Sequence, residues 1–580
     1  MSQFWINFTF VIGTFLVYSW IAVWARARTT REFYIAGGEV NPVVNGMATA
    51  ADWLSAASFI SVAGLISVGY VNSAFIMGWT GGYVLLATLL APYLRRFGAY
   101  TVPDFVGKRY ASKSARVVAV LCLVVISLTY VIGQMTGAGV AFARFLEVEA
   151  DTGLIISALV VFLYAVLGGM KGVTYTQVAQ YIVLILAFTI PAAYLSIMMT
   201  GHMLPQTGLF GTHTGSGLTL LQKLNEVVRD LGFQDYTADV SNKWNMFLFT
   251  LTLMVGTAGL PHVIIRFFTV PNIRDARWSA SWALVFIALF YTTVPALAAM
   301  SRLNLIETFY PNGTRSAPLV YDERPEWVRN WEQTGLLKFE DKNNDGLVQF
   351  YNGANTELPK TAEWAKTWNG NELTVNNDIL VLALPEVANM PAWLIGLMAA
   401  GGIAAALSTA SGLLMAISSA VSHDLLKNTL MPHLPEKREL LYARFAMVGA
   451  ILIAAWLGLN PPGFAAQTVA LAFGMAAATI FPALVLGIFA ARINSKGAVA
   501  GMLAGGLSTV VYIFLYLGWF FIPGTNTFPN TPEHWILGIS PLSVGVIGAA
   551  INIVTSVVVS TATEIPTEEL QLMVRRVRYP

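Results

Sequence analysis

The chain has 580 residues, 56% of them hydrophobic and 11% charged, with a mean hydropathy of +0.62. Soluble domains carry about 25% charged residues, so the composition excludes a soluble globular protein and points to a polytopic membrane protein. The 34 basic and 32 acidic residues leave a net charge of +2, and the basic ones are scattered over loops between apolar runs, which excludes a nucleic-acid-binding surface. The single cysteine, Cys122, excludes an intramolecular disulfide and is expected to be a small core residue.

Apolar runs of about 20 residues, the length that crosses a bilayer core, recur along the chain. They fall at about 4–24, 43–70, 73–94, 116–143, 151–170, 173–199, 244–265, 279–301, 390–422, 442–459, 464–491, 497–521 and 536–560, giving 13 predicted helices. No basic residue precedes the first run, whereas Arg26, Arg28 and Arg31 follow it at once. A cleaved signal peptide carries its positive charge at the other end, so this reads as an uncleaved span with its N-terminus outside. An odd number of spans then puts Arg575, Arg576 and Arg578 of the tail in the cytoplasm. The short loops agree. Predicted inner connections hold Arg95, Arg96, Lys108, Arg109, Lys113, Arg116, Lys171, Arg274, Arg277, Lys427, Lys437, Arg438, Arg492 and Lys496, while the short outer ones after 145, 459 and 521 hold no Lys or Arg.

Two of these spans are interrupted. The second contains Asp52 among Ala and Ser, with Pro42 and Gly46 loosening its cytoplasmic half. A carboxylate at such depth costs roughly 2.5 kcal/mol or more, so it needs a partner or a task. The seventh contains Gly256-Thr-Ala-Gly259-Leu-Pro261-His262, where Pro261 removes a backbone donor and frees carbonyls. Interrupted spans five helices apart predict five-plus-five inverted repeats, spans 2–6 against spans 7–11, with a transport site near the midplane. The ninth span adds Ala405, Ser408 and Thr409 on a small-residue face, where hydroxyls could join freed carbonyls around a cation; close helix packing favours the same residues.

The chain therefore divides into an N-terminal span and linker (1–42), a first repeat (43–199), an outer loop (200–243), the start of a second repeat (244–301), a polar outer insertion (302–389), the rest of that repeat (390–491), and two further spans with a cytoplasmic tail (492–580). The insertion is Asn-rich and is expected to form a small cap. In it, Asp341, Asn343, Asp345, Leu347 and Gln349 follow the first half of a calcium loop, with Gly346 at the sharp turn. Position twelve is Asn352 where a bidentate Glu is usual; the alternative is an Asx-rich turn.

Six stretches, in this order and topology, resemble the solute:sodium symporter family. They are Phe33-Tyr-Ile-Ala-Gly-Gly38, Ala50-Ala-Asp52-Trp-Leu-Ser55, Thr101-Val-Pro-Asp-Phe105 with Arg109-Tyr110, Gly168-Gly169-Met170 with Thr176-Gln177, Leu260-Pro261-His262 through Arg266-Phe267, and Leu407-Ser408-Thr409 with Ser422-His-Asp424-Leu425. The resemblance implies an all-α fold of 13 transmembrane helices with an inverted-repeat core whose first and sixth core helices are broken. It also implies a sodium site made by the carbonyls of Ala50, Trp53 and Ala405 and the hydroxyls of Ser408 and Thr409, with Asp52 either a direct ligand or, the favoured reading, the organiser of the site. Two positions depart from the family pattern: Glu39 stands where Arg is usual, and Gln177 where several relatives carry an Asp on the sodium exit path.

The expected function is sodium-coupled import of a small solute by alternating access, with no enzymatic step. The Gly-Gly-Met-Lys stretch and Gln177 look more like the acetate-permease branch, which implies a short monocarboxylate such as acetate or pyruvate. Candidate solute-lining residues are Gln134, Thr136, Thr257, Pro261 and His262, with His262 equally readable as hydrogen-bonded packing and Arg266 as a snorkelling anchor at the inner end of its span. The alternatives are a sodium:proline or other amino-acid symporter, or a transporter-like sensor, although sensors usually carry a signalling domain and about 20 residues follow the last span. The expected location is the inner (plasma) membrane. Sodium is the expected coupling ion, with calcium a candidate in the outer loop. Expected partners are the solute and the bilayer, with a small membrane subunit or a second copy of the chain as further candidates.

Overall fold

The computed structural model describes residues 2–461, 463 and 465–578, apart from the side chains of residues 162–167. Helices cover every predicted run. The first span is α1 (Gln3–Trp24), and the second is the bent pair α2 (Pro42–Trp53) and α3 (Ala57–Val68). Next come α4 (Tyr70–Phe97), α5 (Lys113–Leu146), α6 (Ala150–Val161) and α7 (Gly168–Gly208). The seventh span is a second bent pair, α8 (Lys243–Thr257) and α9 (Pro261–Phe268), followed by α10 (Ile273–Phe309). After the outer insertion, which ends in α11 (Ile379–Val387), the chain forms α12 (Ala392–Leu430), α13 (Glu436–Gly458), α14 (Ala465–Phe489), α15 (Ser495–Leu517) and α16 (Gly545–Thr561).

The second break falls where Pro261 removes a helical donor, whereas the first, between Trp53 and Ala57, contains neither proline nor glycine. The first pair bends by 62° and the second by 43°. At the second, Pro261 opens α9 at a position where no N–H is needed, and the N–H groups of Gly259 and Leu260 turn back to Gly256 and Thr257 carbonyls. A third interruption separates α6 from α7 at Gly169, with φ +60° and ψ 179°. A Cβ there would also lie 2.8 Å from the Phe33 ring and 2.9 Å from Ala27, so glycine is required twice over, by conformation and by the linker packed on it.

α12 is the centre of the bundle. It packs against α1, α2, α5 and α7 and is almost wholly buried, whereas α1 and α13 expose most of their apolar side chains. Of the two bent pairs, α2 lies along α10 and α8 runs along α4 and α14. Cys122, expected in the core, is partly exposed on α5. The polar insertion folds as a cap. β1 (Leu337–Phe339) pairs antiparallel with β2 (Leu373–Val375), Leu337 opposite Val375, and a short helix over Glu326–Glu332 packs beside β1. The cap is pinned to the bundle by buried Arg144 of α5, which pairs with Glu386 of α11; Trp331 Nε1 donates to the same carboxylate at 2.7 Å.

Candidate functional site

The break after α2 determines what the neighbouring helix must supply. In an unbroken helix the Ala51 and Asp52 carbonyls would accept from the N–H groups of Ser55 and Ala56. Here Ser55 N–H turns to the Trp53 carbonyl (2.8 Å), and Ala56 N–H donates to Gln134 Oε1 on α5 (2.9 Å). The two orphaned carbonyls are met from α12: Ser408 Oγ donates to Ala51 O at 2.7 Å and Thr409 Oγ1 to Asp52 O at 2.7 Å. Both hydroxyls also reach back to the Ala405 carbonyl, at 2.9 and 3.4 Å. Ser408, Thr409, Ala405, Ala50, Trp53 and Asp52 thus share one buried contact between a broken helix and a small-residue face.

The carbonyls that receive the hydroxyls are those of Ala51 and Asp52, one residue inside the expected pair. Ala50 O keeps its helical bond from Leu54 N–H, and Trp53 O accepts Ser55 N–H.

Arg266 overturns its expected role as a snorkelling anchor. It is fully buried, with buried Ile265 and Phe267 on either side, because Pro261 and the bend aim α9 into the bundle rather than toward the inner surface. Its Nε donates to Asp52 Oδ2 at 3.2 Å, Nη1 to Thr174 Oγ1 at 2.9 Å, and Nη2 to Gln177 Oε1. Gln177 Nε2 in turn donates to the Ser408 carbonyl at 2.7 Å, so the uncharged departure at 177 bridges the Arg266–Asp52 pair to the hydroxyl pair. The signal in the sequence was charge balance: a carboxylate in apolar surroundings needs a cation, and Arg266 lies just past the proline of the other interrupted span, whose remaining basic residue, Lys243, stands exposed at its far end.

The candidate solute residues divide. His262 sits in the first turn of α9, edge-on to Tyr130 at 5.2 Å, and among the described residues neither ring nitrogen has a hydrogen-bond partner, which does not favour its reading as hydrogen-bonded packing. Thr257 Oγ1, in the last turn of α8, and Gln134 Nε2, one turn from Tyr130 on α5, are also buried without partners among the described residues. Trp79 and Tyr130 both stack toward Phe473, at 5.8 and 5.7 Å, giving this region an aromatic wall. Thr136 stands apart. Two residues beyond Gln134 on a helix is a turn of about 200°, and its hydroxyl is spent on the Ile132 carbonyl at 3.0 Å.

At one end of the bundle three of the recognised stretches converge. Tyr34 bonds Ser422 and Glu439, His423 and Lys427 reach the same Glu439, and Thr101 Oγ1 donates to Asp424 at 2.6 Å.

The model of the sodium:solute symporter family matches residues 33–304 and 361–505 of this chain. The chain belongs to the sodium:solute symporter family. It is 32% identical to an uncharacterized symporter of Cupriavidus necator, over 96% of this chain and 92% of the relative. An uncharacterized symporter of Bacillus subtilis is 27% identical, over 87% and 85%. A monocarboxylic acid transporter of Corynebacterium glutamicum is 27% identical, over 87% and 83%. Among solved structures, a Na+-coupled sialic acid symporter in a substrate-bound outward-open state superposes with a TM-score of 0.67 at 15% identity, covering 97% of this chain and 98% of that one. As in that symporter fold, spans 2–6 and 7–11 form the inverted-repeat core, here α2–α7 and α8–α14, and the broken first and sixth core helices are α2/α3 and α8/α9. Membership makes the chain a multi-pass membrane transporter that couples solute movement to sodium.

Proposed function

We propose that this symporter imports a short monocarboxylate, such as acetate or pyruvate, together with Na+. The observation that carries the reading is the pairing of Ser408 and Thr409 with carbonyls orphaned by the break in α2, because it assembles neutral hard oxygens at one buried point. Na+ there draws on the carbonyls of Ala50, Ala51, Asp52, Trp53 and Ala405 and on the two hydroxyls. Asp52 acts through its carboxylate on Arg266, as an organiser rather than a ligand.

The charge balance favours an anionic cargo. Asp52 and Arg266 cancel each other, so the empty carrier is neutral at the midplane. Adding Na+ alone leaves an uncompensated charge in a low-dielectric site, and adding a carboxylate alone does the same with opposite sign. Adding both restores neutrality. Loaded and empty carriers can therefore reorient, while half-loaded ones are opposed electrostatically, and that is the condition for coupling. Beside the cation, the N-terminal turn of α9, the imidazole of His262, the Thr257 hydroxyl and Gln134 Nε2 offer donors to a carboxylate, and the aromatic wall suits its short apolar end. The monocarboxylic acid transporter among the relatives supports the same substrate class. The distribution of Arg and Lys over short loops supports an N-terminus outside and a C-terminus in the cytoplasm of the plasma membrane.

The test is uptake of labelled acetate, pyruvate and proline into proteoliposomes, with and without an inward sodium gradient. Sodium-dependent uptake of acetate or pyruvate, with the sodium requirement raised at least tenfold in the Ser408→Ala/Thr409→Ala double variant, is expected. Uptake of proline alone would overturn the substrate class, and unchanged sodium dependence in the double variant would remove the cation site.

A further inference from the structure

The cap places three carboxylates together with no cation to balance them. Oxygens of Asp341, Asp345 and Glu372 all lie within 4.8 Å of one another. None of the three joins an ion pair among the described residues, and the nearest lysine in sequence, Lys342, extends its Nζ to the Asn371 carbonyl at 2.8 Å instead. Glu372 is only 2% exposed, and burial, aided by the charges of Asp345 and Asp341, holds its carboxyl above the usual carboxylate range.

The backbone delivers Glu372 to this point deliberately. The β1–β2 ladder is extended by Glu340 N–H to the Glu372 carbonyl (2.9 Å), and Glu372 N–H donates to the Gln349 carbonyl (3.0 Å). Its carboxylate accepts from Lys342 N–H at 2.9 Å, inside the 341–349 turn. Asn352, the twelfth position of the loop, turns away to the Gly232 carbonyl.

A second, independent feature points inward. Gln349 is fully buried, its amide lies against Asp345 through Nε2 at 2.7 Å, and its Oε1 has no partner. Rotating that amide by half a turn presents a neutral oxygen to the same point. One oxygen of Asp341 is likewise buried and unpartnered. Three carboxylates with neutral amide oxygens in a turn of this kind match the hard, oxygen-rich shell that Ca2+ takes, whereas Mg2+ demands a tight octahedron and retains its waters.

We propose that Asp341, Asn343, Asp345, Gln349 and Glu372 form a calcium site in the cap, with Glu372 supplying from β2 the anchoring carboxylate that Asn352 cannot. Calcium there locks β2 to the turn. β2 continues into Asn377 and Asp378, which sit on the outer ends of the core: a Cβ on Gly64 of α3 would lie 2.0 Å from the Asn377 carbonyl, and Asp378 accepts from Ala465 N–H at the start of α14. The ion thereby steadies the strand that rests on the outer half of the broken span.

The test uses the full chain in detergent, stripped with EDTA. Tb3+ is titrated while luminescence sensitised by the cap tryptophans is read, then displaced with Ca2+ or Mg2+; thermal unfolding is followed in parallel. Expected are saturable luminescence, displacement by Ca2+ with a Kd of roughly 10⁻⁴ to 10⁻³ M as in extracellular modules, little displacement by equal Mg2+, and a Tm raised by Ca2+. Glu372→Gln should weaken Ca2+ at least tenfold. Asp345→Asn, at an exposed position that the fold tolerates, should do the same if the buried variant does not fold. Absence of a saturable signal in the native chain, equal displacement by Mg2+, or unchanged affinity in the variants overturns the proposal.

Discussion

Asp52 and Arg266 come from two different interrupted spans, 214 positions apart in sequence, and meet in a dry site where either charge alone would be prohibitive. Removing one partner leaves the other buried and uncompensated, which typically costs about 3–5 kcal/mol. Asp52→Asn is therefore expected to lower the thermal unfolding temperature and abolish uptake, whereas Asp52→Asn with Arg266→Gln recovers stability. A double variant as unstable as the single one would show that the pair is not what holds this contact. Sequence reading singled out Asp52 by its cost, yet assigned Arg266 to the surface. Snorkelling depends on which way a helix points, and the direction of α9 is decided by a bend that no local pattern specifies.

At the level of elements, the decisive contact is α12 against the break after α2. Gly412 lies one turn beyond Ser408, and a Cβ there would come within 2.2 Å of Asp52 Oδ1, so the carboxylate occupies the space that a side chain would fill. Gly412→Ala must push Asp52 or α12 aside. The expected result is a sodium requirement raised several-fold with the protein still folded, measured as the sodium concentration for half-maximal uptake. A requirement unchanged in Gly412→Ala would mean that the carboxylate has room to move and does not organise the site. The small-residue face of α12 was legible as a face for either packing or ligands. In the structure Gly412 makes the close approach, and Ser408 and Thr409 hydrogen-bond across it to the Ala51 and Asp52 carbonyls. That the Ala51 and Asp52 carbonyls accept the two hydroxyls was not legible, because which carbonyls a break orphans depends on where Ser55 and Ala56 find new partners, and one of those is Gln134 on another helix.

For the whole molecule, one ion pair, Asp52 with Arg266, joins the two broken helices, and under the proposed function charge neutrality would tie cation to anion. With one Na+ per monocarboxylate, uptake into proteoliposomes should follow the sodium gradient and be indifferent to an imposed potential. A charge crossing 100 mV is worth about 2.3 kcal/mol, roughly 50-fold in accumulation, so a potential-driven component would be plain. The order of the apolar helices, the two breaks and the family were readable from the sequence. They rest on local quantities: a run long enough for the bilayer, a proline that removes a donor, a charge that must stay in water. What only the tertiary structure decided are the partners: Arg266 for Asp52, Gln177 for Ser408, and Glu372 beside Asp341 and Asp345. Each joins segments far apart in sequence, and each is set by the angle at which one helix or strand crosses another. The one-dimensional pattern shows that a buried charge or an orphaned carbonyl must be satisfied, and three-dimensional packing selects the residue that does it.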